Sequence, residues 1–344
     1  MYRSSADGGE PVDEQQESGS GGSGGGTGSD PTPPAGDAYH VPVMVHEVVE
    51  AMEPASDGLV LDGTAGGGGH SHALLTRYPS LRLVAVDRDP EAMAALRLRL
   101  SPFADRVRLV QARFDDAAQE FLDRGEPLSG ALLDLGISSR QIDASERGFT
   151  FRDDAPLDAR MEMDSGEGLT AAEILNSWPE EELQLLFWRL AEEPRGRALA
   201  RAVVARREKA PFVRAADLNE ALASIYRRPV RAKEKARVYQ GLRIQVNREL
   251  EALENALPTL RDALRPGGVL AVLSYHSLED REVKNAFREW SRSCVCPPEL
   301  LRCQCRGHAL GSLVNRSVGR PSEAEVAANP RARSARFRVW RKAA

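Results

Sequence analysis

Short apolar runs recur through the first part of the chain and once more near its end. Leu59-Val60-Leu61-Asp62, Leu81 to Asp87, Val107 to Gln111, Ala131 to Leu135 and Val269 to Tyr275 read as apolar on both faces instead of alternating. That pattern predicts strands of a parallel sheet covered by helices. Helical stretches fall between them: His70 to Tyr78 after the first run, Pro90 to Leu100 after the second and Phe114 to Asp123 after the third. Pro90 suits a first helical turn, where a missing N–H leaves no hydrogen bond unmade. Strand and helix alternating at this pitch predict a doubly wound α/β domain that begins near Tyr39.

Residues 136–268 separate the fourth and fifth runs, far more than the dozen or so that a crossover needs. Helix formers dominate there, as in Glu180 to Ala191 and Ala198 to Lys209. The expected organisation is therefore a sheet domain, 39–141 and 246–344, interrupted by an inserted helical domain, 142–245. From Asn247 the spacing of Leu250, Leu253, Leu257, Leu260 and Leu264 predicts an amphipathic helix returning to the sheet, with Pro258 expected to kink it. Arg265-Pro266-Gly267-Gly268 should end that helix and turn into the fifth strand. Arg336 to Trp340 does alternate, and is expected to be a late edge strand.

Composition and charge then sort the ends from the middle. Residues 1–38 hold ten Gly, six Ser and four Pro, with seven acids against one base, Arg3. Such a segment cannot bury enough surface to offset its ordering entropy, so it is expected to be a disordered acidic tail. The formal charge of −5 belongs mostly to that tail. No run approaches the length of a membrane span, and the first residues match neither a secretory signal nor a basic transit peptide. With its four cysteines all between residues 294 and 305, the chain has no distributed disulfide framework. A soluble cytoplasmic globular protein is expected.

Asp62-Gly63-Thr64-Ala65-Gly66-Gly67-Gly68-Gly69-His70 joins the first strand to a helix. Glycines let a backbone approach a ligand, and the helix start offers unpaired N–H groups. Asp87, at the end of the second strand, is spaced to meet a ribose diol. Dinucleotides and S-adenosylmethionine both use this geometry, but the strict G-x-G-x-x-G frame is absent, which favours the methyl donor. Asp62 could face an aminoacyl ammonium, and Asp134 ends the fourth strand at the mouth of the crevice.

These residues belong to a longer series. Tyr39 to Met44, Asp62 to Ser71, Ala85 to Pro90 and Leu133 to Ser139 are followed by Arg147 to Phe151, Gln240 to Leu250, Ser274 to Arg281 and Asn329 to Ser334. The series resembles the bacterial 16S rRNA cytosine N4-methyltransferase family of the MraW type, over about residues 39–340. The resemblance implies a class I (Rossmann-like) S-adenosylmethionine-dependent methyltransferase fold with an inserted helical domain. It implies methylation of the exocyclic amine of cytosine 1402 in 16S rRNA of the small ribosomal subunit. The cofactor contacts it carries over are Gly68, Gly69, His70, Asp87, Phe114, Asp134 and Gln141. Ala159 and Ala191 stand where that family usually has Met and Gly.

Methyl transfer from a sulfonium depends on alignment and desolvation, and an acceptor near the amine would localise its lone pair. Asp134 is the candidate for that role, with Ser138, Ser139 and His276 expected to line the base pocket. Fourteen Lys or Arg against four acids in residues 195–243 fit a phosphate footprint, which Arg331, Arg333, Arg336, Arg338, Arg341 and Lys342 would extend. Other readings are a methyltransferase acting on another nucleic-acid amine, DNA included, an NAD-dependent oxidoreductase, or a non-enzymatic RNA-binding protein. Cys294-x-Cys296 and Cys303-x-Cys305 could hold zinc, but their spacing is shorter than the usual C-x₂₋₄-C, so no metal ligand is assigned.

Overall fold

The computed structural model describes residues 42–162, 168–300, 302–315 and 317–344. The acidic tail expected at 1–38 lies outside the described residues. Strands β1 (Leu59–Asp62), β2 (Arg82–Asp87), β3 (Val107–Gln111), β4 (Leu128–Asp134), β5 (Leu264–Ser274), β6 (Gly311–Leu313) and β7 (Arg336–Lys342) form one sheet. Its order is β3-β2-β1-β4-β5-β7-β6. The first five strands run parallel; β7 is antiparallel to β5, and β6 is antiparallel to β7.

Helices cover both faces, as the two-sided apolar strands require. On one face lie α1 (Val45–Ala51), α2 (Gly69–Arg77) and α3 (Pro90–Arg99), packed with Val60, Leu83, Leu132, Ala271 and Phe337. On the other, α4 (Phe114–Arg124) packs with the alternate strand residues Leu61, Val84, Leu133, Val272 and Trp340. Asp89 caps α3 by accepting from the Glu91 N–H, and Pro90 opens its first turn.

Between β4 and β5 come α5 (Ser139–Asp143), α6 (Ala171–Ser177), α7 (Glu180–Arg189), α8 (Gly196–Arg207), α9 (Ala215–Tyr226) and α10 (Ala232–Asn247). These helices close around an apolar cluster of their own, which includes Ile174, Leu183, Phe187, Leu199, Phe212, Leu222 and Leu242. The chain returns through α11 (Glu249–Ala263), which buries Leu253, Leu257 and Leu260 and continues as one helix across Pro258. After β5 come α12 (Ser277–Trp290) and the short α13 (Glu323–Ala328).

Three expectations need correction. The run Val107 to Gln111 is half-buried to exposed, because β3 is an outer strand with a neighbour on one side only. Arg336 to Trp340 is not at the edge: β6 pairs with β7 and takes that position. Arg265 to Gly268 does not precede β5 but sits inside it as a bulge, where Leu128 faces Leu264 and Gly130 faces Val269.

Ala191 explains a glycine on the facing helix. A Cβ added to Gly241 of α10 would lie 2.6 Å from the Ala191 nitrogen, 2.7 Å from its Cβ and 2.8 Å from its Cα. Gly241→Ala is therefore expected to destabilise the fold by about 1–3 kcal/mol through overpacking. Adding Ala191→Gly should restore only part, since two of the three crowded atoms are backbone. Urea unfolding of both variants checks this; an unchanged midpoint for Gly241→Ala would contradict the packing described.

Candidate active site

Three neighbouring strands, β2, β1 and β4, end at their carboxyl edge in Asp87, Asp62 and Asp134. Each carboxylate is held by groups the chain supplies. Asp62 is buried and accepts from the Ser71 hydroxyl at 2.6 Å and the Thr64 N–H at 3.4 Å. Burial pushes its carboxyl up from the ordinary value, against the Ser71 hydrogen bond and His70. Asp87 accepts the N–H groups of Gly66 at 2.8 Å and Asp89 at 2.9 Å. Its carboxyl is pushed up to about 6, by burial first, and Asp62 contributes by repulsion.

Asp134 receives the Tyr275 phenol at 2.8 Å and lies 3.5 Å from Nδ1 of His70. Its backbone N–H donates to the Thr64 hydroxyl at 2.5 Å, tying β4 to the turn after β1. Burial and the Asp134 charge raise the Tyr275 phenol well above its ordinary value, so it remains a donor. His70 uses Nε2 to donate to the Val43 carbonyl at 2.8 Å, which leaves Nδ1 facing Asp134.

The glycine turn passes between these acids. Gly66 and Gly68 take positive φ of 53° and 78°, and Gly68 caps α2. Gly69 is pressed against the Pro42 ring, where a Cβ would come within 2.8 Å. Gly66 differs: the nearest atom to a Cβ there is the Thr64 carbonyl oxygen at 4.0 Å, so this turn borders open space. Phe114 opens α4, half-buried, against Gly63.

Gln141, expected as a cofactor contact, is buried and acts as a link. Its amide nitrogen donates to Asp89 at 2.8 Å, and its oxygen accepts the Ser138 N–H at 2.9 Å. Ser138 caps α5 by accepting the Gln141 N–H. Ser139 starts α5, and its side chain lies outside the described residues. Arg147 completes the link: it meets Asp89 at 2.6 Å and the Met161 carbonyl at 2.7 Å, with both charged side chains 6% exposed. Sequence reasoning assigned no role to Asp89, Arg147 or Tyr275. Arg147 and Tyr275 stand within the motifs of the resemblance, which was a signal, but their partners are far away in sequence.

His276, expected in the base pocket, is half-buried and caps its own helix. Nδ1 accepts the Glu279 N–H at 3.3 Å, capping α12, and Nε2 lies 3.0 Å from Glu279 Oε1. Glu279 also accepts the Tyr275 N–H at 2.9 Å, so this pair fixes the turn that presents the phenol to Asp134. A cavity of about 200 Å³ opens beside the loop after β4, lined by Ile137, Phe149, Phe151, Tyr239 and Arg243 among others.

The basic residues divide in two. Arg206, Arg228, Arg237 and Arg243 are engaged by Asp217, Glu234, Glu193 and Glu249. Arg197, Arg201, Lys209, Arg227 and Lys233 stay exposed. Of the C-terminal cations expected to extend the basic surface, Arg331, Arg333 and Arg341 are exposed, and the other three are half-buried. Arg336 and Arg338 both bind Asp280, Arg331 binds Asp143, and Lys342 donates to the carbonyls of Asp262 and Leu264.

Five parallel strands, an antiparallel seventh and a glycine turn leading from β1 into α2 define a Rossmann-like class I methyltransferase fold. Within that class the chain belongs to the MraW methylase family, which residues 37–343 match. It is 48% identical over 307 residues to the ribosomal RNA small subunit methyltransferase H of Gemmatimonas aurantiaca, covering 89% of this chain and 96% of that one. It is 44% identical over 313 residues to the protein of the same name from Heliobacterium mobile, covering 88% and 99%.

The Asp89 cluster yields a stability test. Asp89→Ala leaves the buried Arg147 guanidinium with the Met161 carbonyl and, at 3.7 Å, the carboxylate of Glu91, and is expected to cost about 3–5 kcal/mol. Asp89→Asn should cost less, because it still accepts hydrogen bonds. Denaturant unfolding reads both; equal, small losses would contradict a buried ion pair that needs its charge.

Proposed function

We propose that the protein transfers a methyl group from S-adenosyl-L-methionine to the N4 amine of cytosine 1402 in 16S rRNA of the small ribosomal subunit. The observation that carries this reading is the row of three carboxylates around the glycine turn. A pyrophosphate placed there would meet Asp62, Asp87 and Asp134 with like charge, whereas a ligand bearing an ammonium, a sulfonium and a ribose diol meets acceptors. The open space at Gly66 gives such a ligand room. The NAD alternative loses ground on the same charges.

Asp87 is assigned to the ribose hydroxyls, with Gly68, Gly69 and His70 at the turn and the start of α2. Phe114 is assigned to the adenine. Gln141 enters as a positioning residue, because it fixes the loop after β4 to Asp89. The bound cofactor supplies an electrophilic methyl carbon open to in-line displacement. Asp134 is the proposed catalytic residue: it accepts a hydrogen bond from the cytosine amine and draws the lone pair out of ring conjugation. Tyr275 orients Asp134 by donating to it, and His276 acts through Glu279 on the position of Tyr275. Ser138 holds the loop that frames the base, as α5's cap, with Ser139 next to it.

The cavity beside Ile137 supports a base-binding role, since protein cavities of about 150 Å³ accept one benzene ring. Its walls come from Phe149, Phe151 and Tyr239, and stacking on aromatic side chains is a common mode of holding an unstacked RNA base. Exposed Arg197, Arg201, Arg227 and Lys233 are assigned to rRNA phosphates. The relatives' name, ribosomal RNA small subunit methyltransferase H, fits this substrate and a cytoplasmic setting.

The test is label transfer from methyl-labelled S-adenosylmethionine to small ribosomal subunits lacking the modification, followed by nucleoside analysis. Label is expected in N4-methylcytidine and should be lost in Asp87→Ala. Asp134→Asn should weaken cofactor affinity and lose about a hundredfold or more in turnover. Label in a different nucleoside, or full turnover by Asp134→Asn, would overturn the assignment.

A further inference from the structure

The connection from α12 to β6 carries Cys294, Cys296, Cys303 and Cys305, all four as free thiols. Their sulfurs lie within 4.8 Å of one another. Cys303 Sγ is 3.4 Å from Cys305 Sγ and 3.9 Å from Cys296 Sγ, and Cys305 Sγ is 3.9 Å from Cys294 Sγ. Zinc–sulfur bonds of about 2.3 Å at tetrahedral angles put sulfurs about 3.8 Å apart. A disulfide needs about 2.05 Å, far shorter than any of these contacts.

Backbone donors cross between the two Cys-x-Cys turns. The Val295 N–H points at Cys305 Sγ at 3.3 Å, and the Gln304 N–H at Cys296 Sγ at 3.3 Å. Each turn thus donates to a sulfur of the other, which holds the two turns face to face. The short spacing within each turn, which argued against a metal in sequence, is met by folding the two turns face to face.

We propose that these four thiolates hold one structural zinc ion. Four sulfurs fill a tetrahedral site, so no position is left for a water or substrate, and the metal's work is to fasten the connection. That connection needs fastening: no described residue from 291 to 310 is buried, so apolar packing cannot hold it. Its ends are already pinned. Leu310 N–H donates to the Trp290 carbonyl at 2.8 Å, and Arg306 spans the Glu289 carboxylate at 2.7 Å and the Arg292 carbonyl at 3.1 Å. β6 follows directly and covers β7, while Trp290 packs on Trp340. The α12 helix begins at the turn after β5 and ends beside the cysteines, so the metal lies at the opposite end of the sheet from Asp62, Asp87 and Asp134.

Full-length protein purified without chelator should contain one zinc per chain by elemental analysis. Cobalt exchanged into it should give a sulfur-to-cobalt charge-transfer band of tetrahedral thiolate type. The double variant Cys303→Ser, Cys305→Ser should lose the metal and melt several degrees lower, with S-adenosylmethionine affinity unchanged. If that variant does not fold, the cobalt spectrum of the unaltered protein decides alone. Absent zinc with four freely reacting thiols, a mass lowered by disulfide formation, or zinc retained by the double variant would each overturn the proposal.

Discussion

Carboxylates set side by side at the end of a parallel sheet repel one another and lose hydration, and the rest of this site is arranged to offset that cost. Asp62, Asp87 and Asp134 each receive a donor from a different part of the chain: a hydroxyl from α2, an amide from the glycine turn, and a phenol from the turn after β5. The offset is incomplete, since Asp62 and Asp87 both keep raised carboxyl values. The same electrostatic deficit favours the positively charged donor of the proposed reaction over a phosphate-bearing one.

The helices between β4 and β5 are attached to this edge through a few buried polar groups. Arg147 joins Asp89 to Met161, and the Asn247 side chain accepts the Met161 N–H while donating to the Ala159 carbonyl. Arg88 reaches Glu162 and the Asn247 carbonyl from the turn after β2. The segment that borders the aromatic cavity is thus registered against the turn that carries Asp87. In the proposed reaction this one connected polar network links the cofactor and base positions, which is how an in-line displacement can be aligned without a covalent step.

Much of the sheet was legible because burial on two faces leaves a local signature. β1, β2 and β4 appear as unbroken apolar runs, and the glycine turn announces itself by composition. The misread parts depended on distant pairing. Arg336 and Arg338 alternate with apolar residues as an edge strand would, and nothing local reveals that Asp280 neutralises both or that β6 lies outside them. Asp89 and Arg147 both stand within motifs of the resemblance, but they are 58 residues apart, so nothing local announced that they pair. His276 did carry one: His276-Ser277-Leu278-Glu279 has capping-box spacing after a strand, as Ser138 to Gln141 has. Those spacings mark Ser138 and His276 as helix caps next to the strand ends.

The account stands on Asp87 acting as an ionised acceptor for a cationic, diol-bearing ligand. Its carboxyl, raised to about 6, protonates as the pH falls through that value. The decisive measurement is calorimetric affinity for S-adenosylmethionine as a function of pH, with NAD as the comparison ligand. The affinity should weaken about tenfold between pH 7 and pH 5 and flatten in Asp87→Asn, with NAD failing to compete. A profile that is flat in the unaltered protein, or NAD binding as tightly, would contradict it.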